Sequence, residues 1–324
     1  MNNDVLLEVK NLTAEILGHK NNLKVVDNIS FSVKAGEIIG LVGESGCGKT
    51  VTSLSIMGLI KFSNGQVSGG QVLMHGRDLL SCSEEELRVA RGKEISMIFQ
   101  EPMMALNPVL RIETQMLESL MLHVDISKNE AQKKILRILS NVGIPNPEVT
   151  AYCFPHQLSG GMCQRVMIAM AMSCNPHLLI ADEPTTALDV TIQAQILELM
   201  RDIRNKFNTG IILITHDLGI VAEMCNRVLV MYAGRIVEEA SVEELFESPK
   251  HPYTQGLMAS VPVLGSGIRS LPYIDGNVPD ISNLPSGCKF SPSCKYAFDK
   301  CRTEEPVLIN LGIDRKYRCW LESI

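Results

Sequence analysis

The apolar residues of this 324-residue chain fall into two kinds of run. Ile38-Ile39-Gly40-Leu41-Val42, Glu94-Ile95-Ser96-Met97-Ile98-Phe99, Leu178-Leu179-Ile180-Ala181, Ile211-Ile212-Leu213-Ile214 and Arg227-Val228-Leu229-Val230-Met231 are short and almost continuously apolar, as strands covered on both faces are. Helix patterns separate them, so an α/β fold with a mostly parallel sheet is expected. Val5 to Val9, Val25 to Val33 and Gln71 to Met74 read as strands around the loop Gly18-His19-Lys20-Asn21-Asn22, an antiparallel edge beside the strand ending at Val42. From about Val109 to Cys174 the period changes to helices. There Ser127 followed by Glu130 forms a capping box, and Ile135, Ile138, Leu139 and Val142 are spaced for one buried face. This predicts a helical subdomain over residues 103–175. Past Pro249 the prolines Pro252, Pro262, Pro272, Pro279, Pro285, Pro292 and Pro306 mark a loop-rich tail. Two domains follow, 1–249 and 250–324, with no internal repeat.

An apolar fraction of 45% suits a chain that buries a large core. The net charge of −6 offers no basic face for a phosphate backbone, which argues against a nucleic-acid partner. No segment approaches the roughly 18 consecutive apolar residues of a membrane span, and Met1-Asn2-Asn3-Asp4 lacks the basic start of a signal peptide. The expectation is a cytoplasmic protein with no transmembrane segment of its own. The sixteen methionines, among them Met167, Met170 and Met172, read as core filler.

The chemistry concentrates at Gly43-Glu44-Ser45-Gly46-Cys47-Gly48-Lys49-Thr50, which fits G-x-x-x-x-G-K-[ST] between a strand and a proline-free helix pattern. Glycines let the backbone curl so that its N–H groups, with the positive end of the following helix, meet anionic phosphate oxygens. Lys49 would reach the β- and γ-phosphates and the Thr50 hydroxyl would ligate Mg²⁺. Asp182 and Glu183 follow the buried run Leu178 to Ala181, at the strand end where α/β sheets bind ligands. Asp182 would hold Mg²⁺, directly or through water, and Glu183 would take a proton from a water attacking the γ-phosphate. Ser159-Gly160-Gly161 precedes a helical run and would sit at its N-terminus, with N–H groups open to an anion.

Taken together, these stretches resemble the ATP-binding subunit of an ABC transporter, from residue 5 to about 262. Gly43 to Thr50 looks like Walker A and Gln100 like the Q-loop glutamine, which offers an amide oxygen to Mg²⁺ or to the attacking water and opens the helical insert. Leu158 to Gln164 is similar to the signature motif, with Met162 where many members carry Gln. Leu178 to Glu183 looks like Walker B with its catalytic glutamate, Ala187-Leu188-Asp189 like the D-loop, and His216 like the switch histidine. The resemblance implies that two such subunits clasp two ATP molecules head to tail, each with its partner's Ser159-type corner on the γ-phosphate. Ile16 stands where relatives usually have an aromatic residue to stack on adenine.

Gln100-Glu101-Pro102-Met103-Met104-Ala105-Leu106-Asn107-Pro108 and His251-Pro252-Tyr253-Thr254-Gln255-Gly256-Leu257 resemble the oligopeptide, dipeptide and nickel importer subfamily. The second segment, read on its own, is a helix start with Tyr253 or Thr254 near the cap. Membership implies peptide import, with nickel or another metal chelate as the alternative cargo. It also implies a second ATPase subunit (a paralogue or the same chain), two transmembrane permease subunits, an extracellular binding protein and a place on the cytoplasmic face of the membrane. The rivals are a soluble ABC ATPase acting on nucleic acid and a non-hydrolysing scaffold. Against the first stand the single cassette and the acidic balance, against the second the presence of both Glu183 and His216.

Ten cysteines divide into six scattered and four in the tail, Cys288-x₅-Cys294-x₆-Cys301-x₁₇-Cys319. Four thiolates on a loop-rich segment suit a soft metal, yet zinc sites usually offer close C-x₂₋₄-C pairs. The segment Gly287 to Cys294 with Cys301-Arg302 resembles the subfamily's C-terminal region, which implies a [4Fe–4S] cluster; zinc and free thiols stay as alternatives. Cys47 and Cys163 read as small packing residues, though oxidation of Cys47 would obstruct the phosphate loop.

Overall fold

The computed structural model describes residues 5–18, 21–186, 188–260, 279–312 and 314–321. His19, Lys20, Ala187, Pro262 and Pro272 lie outside the described residues. In chain order the first elements are β1 (Val5–Ile16), β2 (Leu23–Lys34), β3 (Ile38–Val42), α1 (Lys49–Ile56), β4 (Gly65–Met74) and β5 (Arg77–Asp78). Then come α2 (Glu84–Lys93), β6 (Ile95–Ile98), α3 (Pro102–Ala105), α4 (Ile112–His123), α5 (Lys128–Asn141), α6 (Pro147–Thr150) and α7 (Gly160–Ala171). They are followed by β7 (Leu178–Asp182), α8 (Val190–Phe207), β8 (Gly210–Thr215), α9 (Leu218–Met224), β9 (Arg227–Tyr232) and β10 (Arg235–Ser241). The chain closes with α10 (Val242–Glu247), α11 (Pro252–Ala259), α12 (Asp299–Thr303), β11 (Ile309–Gly312) and β12 (Arg315–Tyr317). Two compact units result: one of Val33–Glu37 and Ser81–Ile212 with the start of β1, the other of Leu7–Ser32, Ile38–Leu80 and the chain from Leu213 onward.

In the first unit β6 pairs in parallel with β7, Ile95 opposite Leu178 and Ile98 opposite Ala181, and every residue of both strands is buried. Their continuous apolar character follows from that double cover. The helices between them carry the expected box: Ser127 Oγ accepts the Glu130 N–H, and the Glu130 carboxylate accepts the Ser127 N–H at 2.9 Å. Ala131, Ile135 and Leu139 form the buried stripe of α5, which packs on α4. Gln115 of α4 is buried with all its polar atoms used. Its Nε2 donates to Asn107 O and Leu110 O, and its Oε1 accepts the Asn107 N–H. The loop after α3 is thereby tied to the helices, in addition to its buried Leu106.

In the second unit β1, β2, β4 and β5 supply the expected antiparallel element as a sheet of their own, ordered β2-β1-β4-β5. The reason is visible in the pattern. These strands alternate buried and partly exposed residues, so each has one apolar face, whereas β3 is buried throughout. The other sheet of this unit runs β11-β12-β10-β9-β3, with β3 parallel to β9 and β9 antiparallel to β10. The β9–β10 turn is Ala233-Gly234, both at positive φ, as two-residue hairpins of this twist require.

The tail joins this sheet through β12, whose Tyr317 and Lys316 stand opposite Glu238 and Glu239 of β10. Both carboxylates are buried and both are paired. Glu239 meets Arg227 and Lys316. Glu238 accepts the N–H groups of Lys250 and His251 at 2.7 and 2.8 Å and lies 3.3 Å from Arg315. Buried charge persists only when partnered in this way.

Candidate functional site

Polar side chains on the inner face of α1 are satisfied by its own backbone. Thr52, Ser53 and Ser55 are buried, and their hydroxyls donate to Gly48 O, Thr50 O and Val51 O at 2.6 to 2.9 Å. Ahead of the helix, Gly43, Gly46 and Gly48 all have positive φ. A Cβ on Gly48 would stand 2.7 Å from Val25 O, and one on Gly43 2.2 Å from Met231 O. Only glycine lets the chain turn between those two carbonyls. The β9–β10 turn closes the clamp, since the Gly234 N–H donates to Cys47 O and Gly234 O accepts the Asp27 N–H, each at 2.9 Å.

Inside the curl the Lys49 ammonium is buried and donates to Gly43 O at 2.6 Å and Glu44 O at 2.9 Å. Thr50 is exposed at the first turn of α1. Backbone N–H groups at a helix N-terminus with an ammonium among them form an anion site that needs no other positive charge. Cys47 is fully buried beneath the curl, and burial pushes its thiol above the usual value despite the nearby Lys49. Ile16 is half-buried at the end of β1, opposite Gly65 of β4. His216 follows β8 and is exposed, next to Asp217, whose carboxylate caps α9 through the N–H groups of Gly219 and Ile220.

The first unit gathers the remaining polar candidates. Asp182, the last residue of β7, is buried, and Glu183 after it sits at φ 46, a left-handed backbone that a non-glycine residue adopts only at a cost. That turn swings the Glu183 carboxylate to where Gln100 Nε2 donates to it at 3.1 Å and Thr186 Oγ1 at 2.9 Å. Gln100 and Glu183, 83 residues apart, are thus brought together; the part of Thr186 was not apparent from the sequence. Ser159 caps α7, its Oγ accepting the Met162 N–H at 3.3 Å, and Asp189 caps α8 through the Ile192 N–H at 3.0 Å. Both caps border one open cavity of about 510 Å³, which Gly160, Gly161 and Arg165 also line.

With this geometry in view, comparison with known proteins decides the family. A family profile described as "ABC transporter" matches residues 26–186, and one described as "Oligopeptide/dipeptide transporter, C-terminal region" matches residues 237–301. The oligopeptide transport ATP-binding protein AppD of Bacillus subtilis is 52% identical over 316 residues, 98% of this chain and 96% of that protein. The chain belongs to the ATP-binding subunits of ABC transporters. The dipeptide transport ATP-binding protein DppD of Escherichia coli is 46% identical to this ABC subunit over 97% of the chain and 96% of its own length. Among solved structures, the dimeric ATP-binding cassette MJ0796 bound to ADP and Pi superposes with a TM-score of 0.66 at 26% identity, covering 73% of this chain and 99% of the cassette. Among the described residues, no helix of this ABC subunit is long and apolar enough to cross a membrane.

The four tail cysteines are neighbours. Cys301 and Cys319 are buried, Cys288 and Cys294 are half-buried against the core of the second unit, and the Cys288 N–H donates to Cys301 O at 2.8 Å. Burial first, then the other thiols, pushes Cys288 up to about 11. Among the described residues, however, no group of three or more His, Cys, Asp or Glu side chains converges closely enough to hold a metal ion. The His251 segment starts a helix with Tyr253 and Thr254 near the cap, as expected: His251 itself caps α11, its Nδ1 accepting the Tyr253 N–H at 3.0 Å, and Tyr253 and Thr254 are buried in the first turn. Pro252 occupies the first helical position, where it needs no partner for a missing N–H.

Since the thiolate is the reactive form and burial holds Cys47 protonated, iodoacetamide at pH 8 is expected to leave Cys47 unmodified while half-buried Cys82 and Cys153 react. Peptide mapping by mass spectrometry checks this, and rapid carboxamidomethylation of Cys47 in the folded chain would contradict it.

Proposed function

We propose that the chain hydrolyses ATP to drive import of di- or oligopeptides through two membrane subunits. The observation that carries this reading is its likeness, over nearly its full length, to a curated oligopeptide transport ATP-binding protein, together with a phosphate curl whose every turn depends on glycine. The match of the tail to an oligopeptide/dipeptide transporter region favours peptides as cargo. An extracellular binding protein and a second ATPase subunit complete the proposed assembly, with the chain on the cytoplasmic face of the membrane and a division into domains 1–249 and 250–324.

In this reading the N–H groups of the curl and Lys49 bind the triphosphate. The Thr50 hydroxyl and the Asp182 carboxylate, both hard oxygen donors, fit Mg²⁺, which when bound draws charge from the phosphate oxygens. Glu183 takes the proton of the attacking water, its carboxylate aimed by Gln100 and Thr186. His216 meets the γ-phosphate of the same nucleotide. Ser159, Gly160, Gly161 and Asp189 serve the nucleotide of the second ATPase subunit. In that arrangement the cavity of about 510 Å³ beside α7 faces another subunit's phosphate loop.

For the tail we propose a [4Fe–4S] cluster on Cys288, Cys294, Cys301 and Cys319. Support comes from the resemblance of the Gly287-to-Arg302 segment to the subfamily's C-terminal region, whose matched stretch includes Cys288, Cys294 and Cys301, and from four soft thiol donors. Ligation requires the thiols to draw closer together than they stand here; Cys288, Cys294 and Cys319 sit on loops and Cys301 in the five-residue helix α12.

Loss of the proposed base in Glu183→Gln should lower ATP turnover by the assembled complex by about 10²–10⁴-fold while MgATP still binds. Uptake of a labelled oligopeptide by vesicles carrying the complex should fall in parallel. Turnover and uptake at the wild-type rate would remove Glu183 from its role. For the tail, anaerobically purified chain should be brown, with absorbance around 400 nm that Cys294→Ser abolishes; a colourless protein with stoichiometric zinc would overturn the cluster.

A further inference from the structure

A residue of the second unit's aromatic core reaches the loop Gly43 to Thr50. Tyr253 of α11 is fully buried, its ring 4.6 Å from that of Tyr232 and 5.5 Å from that of Phe290. Phe290 in turn packs edge-on against Tyr232, and Cys288 and Cys294 on either side of it rest on the same cluster. From this apolar setting the Tyr253 hydroxyl accepts the N–H of Glu44 at 2.9 Å. Its backbone is fixed as well, through the bond to His251 Nδ1 and the bond from the His251 N–H to Glu238.

Glu44 N–H and Gly43 C=O belong to one peptide unit. The carbonyl side of that unit accepts the Lys49 ammonium at 2.6 Å and the N–H side is taken by Tyr253. A rigid planar amide held at both ends cannot rotate without losing one of the two bonds. Any rotation about its flanking torsions, which the neighbouring glycine permits, would move the oxygen that holds Lys49. We propose that Tyr253 is a positioning residue for the phosphate loop: its hydroxyl sets the Gly43–Glu44 peptide plane and, through it, the place of the Lys49 ammonium. The proposal rests on the reading of Gly43 to Thr50 as the triphosphate site. It also gives the His251-to-Leu257 segment a task beyond starting a helix, because Tyr253 braces the loop through the Glu44 N–H.

The test uses the full-length chain. Tyr253→Phe keeps the ring in its packing and removes only the acceptor, leaving a buried N–H unsatisfied, so Kd for MgATP should rise about tenfold. Exchange of the Glu44 amide in hydrogen–deuterium measurements should accelerate by a similar factor. Tyr232→Phe, which trims a hydroxyl from the same cluster, should leave both quantities as in wild type. Equal effects of the two substitutions would reduce Tyr253 to packing and overturn the proposal, as would a Tyr253→Phe affinity within about twofold of wild type. If Tyr253→Phe does not fold, the wild-type chain decides: a Glu44 amide already protected in the absence of nucleotide supports the proposal, and one exchanging as fast as an open loop refutes it. Wild-type chain that binds MgATP no better than Lys49→Ala would instead bring down the triphosphate reading itself.

Discussion

The glycine-dependent shape of the curl from Gly43 to Thr50 governs its surroundings, and the structure around it keeps a strained turn in place. Three glycines at positive φ give the turn its shape, but shape alone would not keep it. Val25 O and Met231 O stand where side chains would be, and the bond from the Gly234 N–H to Cys47 O joins the β9–β10 turn to the loop. The curl is thus wedged among segments far apart in sequence, each contributing main-chain atoms. This accounts for the burial of Lys49, an otherwise costly place for an ammonium, because two carbonyls of the loop itself replace its water.

The same economy of polar atoms explains how the tail is held. Glu238 and Glu239 sit side by side in β10, on a strand that is otherwise apolar over Ile236, Val237 and Ala240. One carboxylate takes the backbone entering α11 and the other takes Arg227 and Lys316. Removing either partner would strand a buried charge, at a cost of about 3–5 kcal/mol, so pairing adds to the apolar packing of Tyr253 in fixing α11 and β12. With α11 in place, Tyr253 stands over the loop, and the aromatic cluster reaches from the thiols to Glu44.

Much of this could be read from the chain. The buried strands β3, β7, β8 and β9 appear in the sequence as uninterrupted apolar runs because both of their faces are covered. The capping box at Ser127 and the cap at Ser159 are local chemistry and emerged where expected. What escaped was non-local. The alternation in β1 and β2 identifies antiparallel strands with one apolar face but not that, with β4 and β5, they form a separate four-stranded sheet. Nothing in a single sequence ties Glu44 to Tyr253, 209 residues away, or aims Thr186 at Glu183, since a hydroxyl has no periodic signal. The start of α11 near Tyr253 and Thr254 was legible, with Pro252 as the clue, though not that His251 supplies the cap.

In the proposed cycle the curl is half of a working site, and the other half is the open cavity bordered by Ser159, Gly160 and Asp189 of a second chain. The direct measurement is ATP turnover per chain as a function of chain concentration, at saturating MgATP. The account predicts a rate that rises with concentration and levels off once chains are paired. A rate per chain that stays constant on dilution into the range where only monomer remains would contradict it.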